Sequence, residues 1–84
     1  MQDAIIRQKY EAMLIDLKED YETYSAELAH LIKLKEAAQI IDDPDKLCKY
    51  DKRIKWHQTM LKEVKTAISN IEKILRKGDV THVV

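Results

Sequence analysis

Phenylalanine is missing from this sequence, and glycine, proline, cysteine and tryptophan occur once each. With only Gly78 and Pro44 to make tight turns, a fold of many short hairpin-linked strands is excluded on composition. Cys48 has no second cysteine to pair with. That rules out an intrachain disulfide, argues against a structural zinc site and fits a reducing compartment. No stretch comes near the ~18 uninterrupted apolar residues that a membrane span needs. The opening Met1-Gln2-Asp3-Ala4-Ile5-Ile6-Arg7 lacks the basic segment and long apolar run of a signal peptide. The expected location is therefore the cytoplasm, or the interior of an assembled particle.

The 84 residues allow one domain, with 36% charged and 45% hydrophobic residues. That balance belongs to long solvated helices rather than to disorder. A chain this short buries about two-thirds of its unfolded surface, so its own core leaves it marginally stable. Net charge is zero but unevenly spread. From Asp3 to Ile41 there are eight acids against five bases, and from Lys46 to Lys77 three acids against ten bases. Oppositely charged helices favour lying side by side.

The hydrophobic period gives the elements. Ile6, Tyr10, Met13, Leu17, Tyr21, Tyr24, Leu28, Leu31, Leu34, Ala38 and Ile41 recur at spacings of three and four, one stripe of a helix over about 3–41. Leu47, Tyr50, Ile54, His57, Leu61, Val64, Ile68, Ile71 and Leu75 alternate three and four without a slip, which predicts a second helix over about 44–77 with coiled-coil-like packing. Between them Asp43 suits an N-cap and Pro44 the first helical position, where its missing N–H costs nothing. Pro44 also disfavours helical geometry at Asp43, so residues 42–43 form a turn. Arg76-Lys77-Gly78 predicts a cationic last turn closed by a left-handed glycine, leaving 78–84 as a tail. Two helices of equal length joined by a short loop are antiparallel neighbours. The expected fold is all-α: a single helical-hairpin domain, completed to a bundle by dimerisation or by a partner.

A single seam does not account for every apolar residue. Beside it on the second helix runs a further row, Trp56, Met60, Ala67 and Ile74, and the first helix has Leu14, Ile15 and Ile32 to spare. Each large side chain left in water forgoes roughly 1.5–3 kcal/mol. These seven are the expected partner-binding residues, since contiguous exposed apolar surface marks an interface. The bland alternative is that Trp56 and Met60 merely lap over the hairpin edge.

Chemistry-bearing residues are few. His57 falls in the seam, where a histidine serves as a hydrogen-bonded, register-setting polar residue or as a pH-sensitive joint. Glu27 and His30 have the Glu-x-x-His spacing of di-iron bundles, but the facing stretch supplies no matching carboxylate. No metal and no cofactor are expected. Lys49, Lys52, Arg53, Lys55, Lys62, Lys65 and Lys73 could track phosphates with Trp56 as a stacking group. The zero net charge and the lack of a base-reading motif favour a solvated helix face instead. No phosphate loop, nucleophile elbow or Cys/His pairing is present, so no catalytic residue is assigned.

Two resemblances attach to short segments. Leu28-Ala29-His30-Leu31-Ile32-Lys33 resembles the phospho-accepting helix of histidine phosphotransfer domains, which would make His30 the phosphoryl carrier and Lys33 its neighbour one turn on. Leu34 stands where that family has a glycine for its partner's close approach. Pro44-Asp45-Lys46-Leu47-Cys48-Lys49-Tyr50-Asp51-Lys52-Arg53-Ile54 resembles the stretch after the turn in type III secretion needle subunits, whose small co-chaperones are also helical hairpins. That likeness implies an assembly subunit or an escort for one, and covers eleven residues.

The expected function is a non-enzymatic protein–protein interaction module serving assembly, escort or inhibition, as in phage or secretion accessory proteins. Its expected partner is a second copy or a larger protein. Phosphotransfer through His30 and nucleic-acid association through the basic face are the alternatives.

Overall fold

The computed structural model describes residues 2–81, with side chains over 4–77. It is a two-helix hairpin: α1 spans Gln2–Ile40 and α2 spans Pro44–Thr81, and no strand occurs among the described residues. Neither helix is broken internally, as the absence of Gly and Pro from α1 and the N-terminal place of Pro44 in α2 require. The molecule is a rod of 62 × 17 × 13 Å. Among the described residues no helix is long and apolar enough to cross a membrane.

The reversal at 41–43 is tighter and better satisfied than a bare two-residue turn. The Asp43 N–H donates to the Ala38 carbonyl at 3.1 Å and the Asp42 N–H to the Gln39 carbonyl at 3.2 Å. This nested pair is a Schellman motif, and it places Asp42 in the left-handed region at φ 54°. Aspartate tolerates that geometry better than most residues, though at a cost glycine would avoid. One residue later the same turn opens α2. Asp43 Oδ1 accepts from the Lys46 N–H at 3.2 Å, an N-cap bond that satisfies an otherwise orphan donor. Ile41, placed by its period in the first helix, lies in the turn and is exposed.

At the far end the sequence expectation of a glycine stop is corrected. No glycine has positive φ, and α2 runs through Gly78 to Thr81. A single glycine costs a helix only about 1 kcal/mol. Without a reversing chain to stabilise the left-handed cap, the helical ladder simply continues. The rest of the expected tail, 82–84, lies outside the described residues.

The core is thin because two helices share one seam. Leu31, Ala38, Ile54, Val64 and Ile71 are its buried apolar members, with His57 among them at 9% exposure. Tyr10, Leu17, Tyr24, Leu28, Leu34, Leu47, Tyr50, Leu61, Ile68 and Leu75 are half-buried. Ile6, Met13 and Tyr21, members of the α1 stripe by spacing, remain exposed. Geometry explains the gradation. A helix facing one neighbour can shelter only the residues aimed at it, and those ~60° to either side stay wet. An ion pair from Lys35 to Asp51 links the helices near the turn, while Arg7 and Glu11 pair within α1 at 3.1 Å. The Lys35 hydrogen bond holds the Asp51 carboxyl below the ordinary carboxylate range, against the opposing pull of desolvation.

Candidate protein interface

The middle of the seam carries an interhelical hydrogen bond between a buried ring and a carboxylate. His57 Nδ1 lies 2.8 Å from the Arg53 carbonyl oxygen, and Nε2 lies 2.7 Å from Glu27 Oε2. The carbonyl can only accept, so Nδ1 carries a proton and donates. Nε2 meets the Glu27 carboxylate across the seam, which ties the ring to both helices. Both nitrogens are satisfied, and no buried side-chain nitrogen or oxygen lacks a partner among the described residues. In the sequence Glu27 stands out only for its spacing to His30. It reaches His57 because residues whose numbers sum to about 84 sit level in this hairpin, and helix spacing alone does not show that pairing.

Three aromatic rings gather around this joint. Trp56 meets Tyr24 edge-on at 5.8 Å and His57 at 5.0 Å, and Tyr24 meets His57 at 6.0 Å. Such edge-to-face contacts add about 0.5–1.5 kcal/mol each beyond area burial. Trp56 does lap over the hairpin edge, yet it remains 52% exposed. Its own chain covers one side of the indole and leaves the other to solvent.

The other expected partner-binding residues separate into distinct strips. Ile15, Ile32 and Ile74 are exposed, while Leu14, Met60 and Ala67 are half-buried. At ~100° per residue, Trp56, Met60, Ala67 and Ile74 fall within a ~40° arc on one flank of α2. Leu14 and Ile32 lie on the flank of α1 opposite His30, and Ile15 points away from the seam altogether. The seven residues thus do not make one continuous patch. The α2 row shares one flank with Glu63 at its edge; two grooves open beside it toward α1, and a third of about 470 Å³, lined by Thr59, Lys62, Glu63, Thr66, Ala67 and Asn70, opens on its outer side. Nearer the turn a groove of about 560 Å³ is lined by Ala26, Glu27, His30, Leu31, Arg53 and His57. Nearer the open end a groove of about 440 Å³ is lined by Met13, Asp16, Leu17, Ala67, Asn70 and Ile71. Met13 belongs to this surface and, by spacing, to the α1 stripe. Its position at the seam's wet edge is decided by how the helices roll against each other.

His30 is exposed on the rim of the first groove, with Arg53 and His57 across from it. Among the described residues no group of three His, Cys, Asp or Glu side chains is placed to hold a metal ion. The outer face of α2 carries Thr59 and Thr66, whose hydroxyls donate back to the Lys55 and Lys62 carbonyls at 3.0 and 2.9 Å. Both threonines are exposed, and the back-bonds satisfy their hydroxyls within the helix. Comparison with protein-family models, curated proteins and solved structures returns no match.

Proposed function

We propose that this chain is a non-enzymatic interaction module, a helical hairpin whose exposed apolar strips dock on protein and so serve assembly, escort or inhibition. One observation carries the reading: Trp56, Ile32, Ile74 and Met13 are all exposed on a rod whose buried apolar core is five residues. A protein of this size is marginally stable on its own, and apolar surface of this extent finds its compensation in a partner. The grooves are open troughs on a rod's side, a shape suited to a helix face and poorly suited to shielding a reaction from water. Such a module would work in the cytoplasm or within an assembled particle.

The test is affinity capture from the native host with three baits: wild type, Trp56→Ala and Ile32→Glu, each checked for helicity by circular dichroism. A protein, whether a second copy or another chain, should be retained by wild type and shed by at least one variant of unchanged helicity. Retention indifferent to both substitutions overturns the docking role.

A further inference from the structure

We infer that the partner on the Trp56 flank is a second copy of this chain, packed antiparallel about a two-fold axis that crosses this flank at the level of Lys62, with Trp56 of each protomer seated over the Ala67 groove of the other. The proposal rests on the docking role above and names its occupant. Three observations lead to it.

The first is area. The chain exposes 6712 Å², whereas a compact monomer of 9.9 kDa exposes about 5,200 Å². The surplus, about 1,500 Å² per chain, follows from the rod shape and exceeds the ~800 Å² that each partner contributes to a standard interface. Two copies packed along one flank at that standard size would remove about half of it and give a four-helix bundle.

The second is symmetry. The two grooves lie on the same flank, one around Arg53 and His57 and the other around Ala67 and Ile71. Their midpoint along α2 is near Lys62. A perpendicular two-fold axis there superimposes each groove of one protomer on the other groove of its mate, as an isologous contact requires. Trp56 lies six residues to one side of that axis, about 9 Å along the helix. The same step on the other side reaches the second groove, between Ala67 and Ile71. The small Ala67 leaves room for an indole, Met13, Leu17 and Ile71 supply apolar walls, and Asn70 offers an acceptor for the indole N–H. Met60 falls between the grooves and meets the mate near the axis.

The third is charge. The groove near the turn carries the Arg53 cation beside a Glu27 already engaged by His57. The groove near the open end has Asp16 as its one charged lining residue. The two-fold brings Arg53 of one protomer to Asp16 of the other, twice per dimer. A parallel pairing would set like grooves together, cation on cation, so the antiparallel arrangement is the complementary one.

Because Trp56 is the sole tryptophan, its fluorescence reports this contact directly. Wild type should be dimeric by sedimentation equilibrium, with indole emission shifting to the blue as concentration rises. Trp56→Ala, and separately Ala67→Glu, should each weaken dimerisation about 1,000-fold. That figure takes the tryptophan contact as a hot spot costing about 30-fold, lost on both sides of the two-fold. Mixing the two variants is the sharper test. The Ala67→Glu chain keeps its tryptophan and the Trp56→Ala chain keeps its groove, so a mixed dimer retains one of the two contacts. It should form about 30-fold more weakly than wild type, with blue-shifted emission from its single indole. A dimer that survives both substitutions, or mixed variants that fail to associate while each stays helical, overturns this arrangement. A wild-type chain that stays monomeric also overturns it. In that event host capture sensitive to Trp56→Ala leaves the docking role standing with another protein as occupant, whereas insensitive capture removes both.

Discussion

The joint between His57 and Glu27 makes a quantitative test of how this thin core holds together. The perturbation is a double-mutant cycle of Glu27→Ala, His57→Leu and the two combined. A hydrogen bond to a charged group contributes about 1.5–3 kcal/mol net when sheltered. Here the His57 side chain is 11% exposed but that of Glu27 is 53% exposed. Solvent competes for the carboxylate, so the coupling should be nearer 1 kcal/mol. Glu27→Ala leaves Nε2 buried without its acceptor and should lower the melting temperature by about 4–8 °C, the shift that 1 kcal/mol makes in a domain of this size. His57→Leu in the Glu27→Ala background should recover most of that loss, because an apolar side chain in an apolar seam leaves nothing unpaired. The readout is thermal unfolding followed by circular dichroism, at a fixed chain concentration so that association does not shift the curve. Independent, additive effects of the two substitutions would refute the assigned role of the pair.

The turn offers a gain rather than a loss. Asp42→Gly relieves a left-handed residue with φ 54° and should stabilise the hairpin by about 0.5–1 kcal/mol, the cost of the side chain there less glycine's extra unfolded freedom; denaturant titration showing no gain would mean that the Schellman turn is not formed in solution. The Lys35–Asp51 pair sets an acid-side prediction. Because Lys35 depresses the Asp51 carboxyl from its ordinary 3.8, the pair's contribution is present above that value and is lost as pH falls through the lowered one. Wild type and Asp51→Asn should differ in stability near neutrality and converge at strongly acidic pH; a constant difference across the acid range would contradict it.

Much of the fold was legible because helices advertise themselves locally. The three-four alternation from Leu47 to Leu75, the empty stretch without Gly or Pro from Gln2 to Ile40, and Asp43-Pro44 as cap and first turn each follow from interactions within a few residues. The left-handed Asp42 was not legible, since aspartate signals a cap as readily as a positive φ. Nor was the run of α2 through Gly78, because glycine permits a stop without enforcing one.

The sequence by itself determined that there are two long helices, where they turn, and that they carry more apolar surface than one seam can hide. Only the tertiary structure decided which residues meet. The level at which the helices pass each other brings Glu27 to His57 and Trp56 to Tyr24. Their roll about that contact leaves Met13 at a groove's edge and sets Leu14 and Ile32 on a different flank from Trp56. The reason is one of range: periodicity records the face a residue occupies on its own helix, while register and roll depend on every contact across the seam at once.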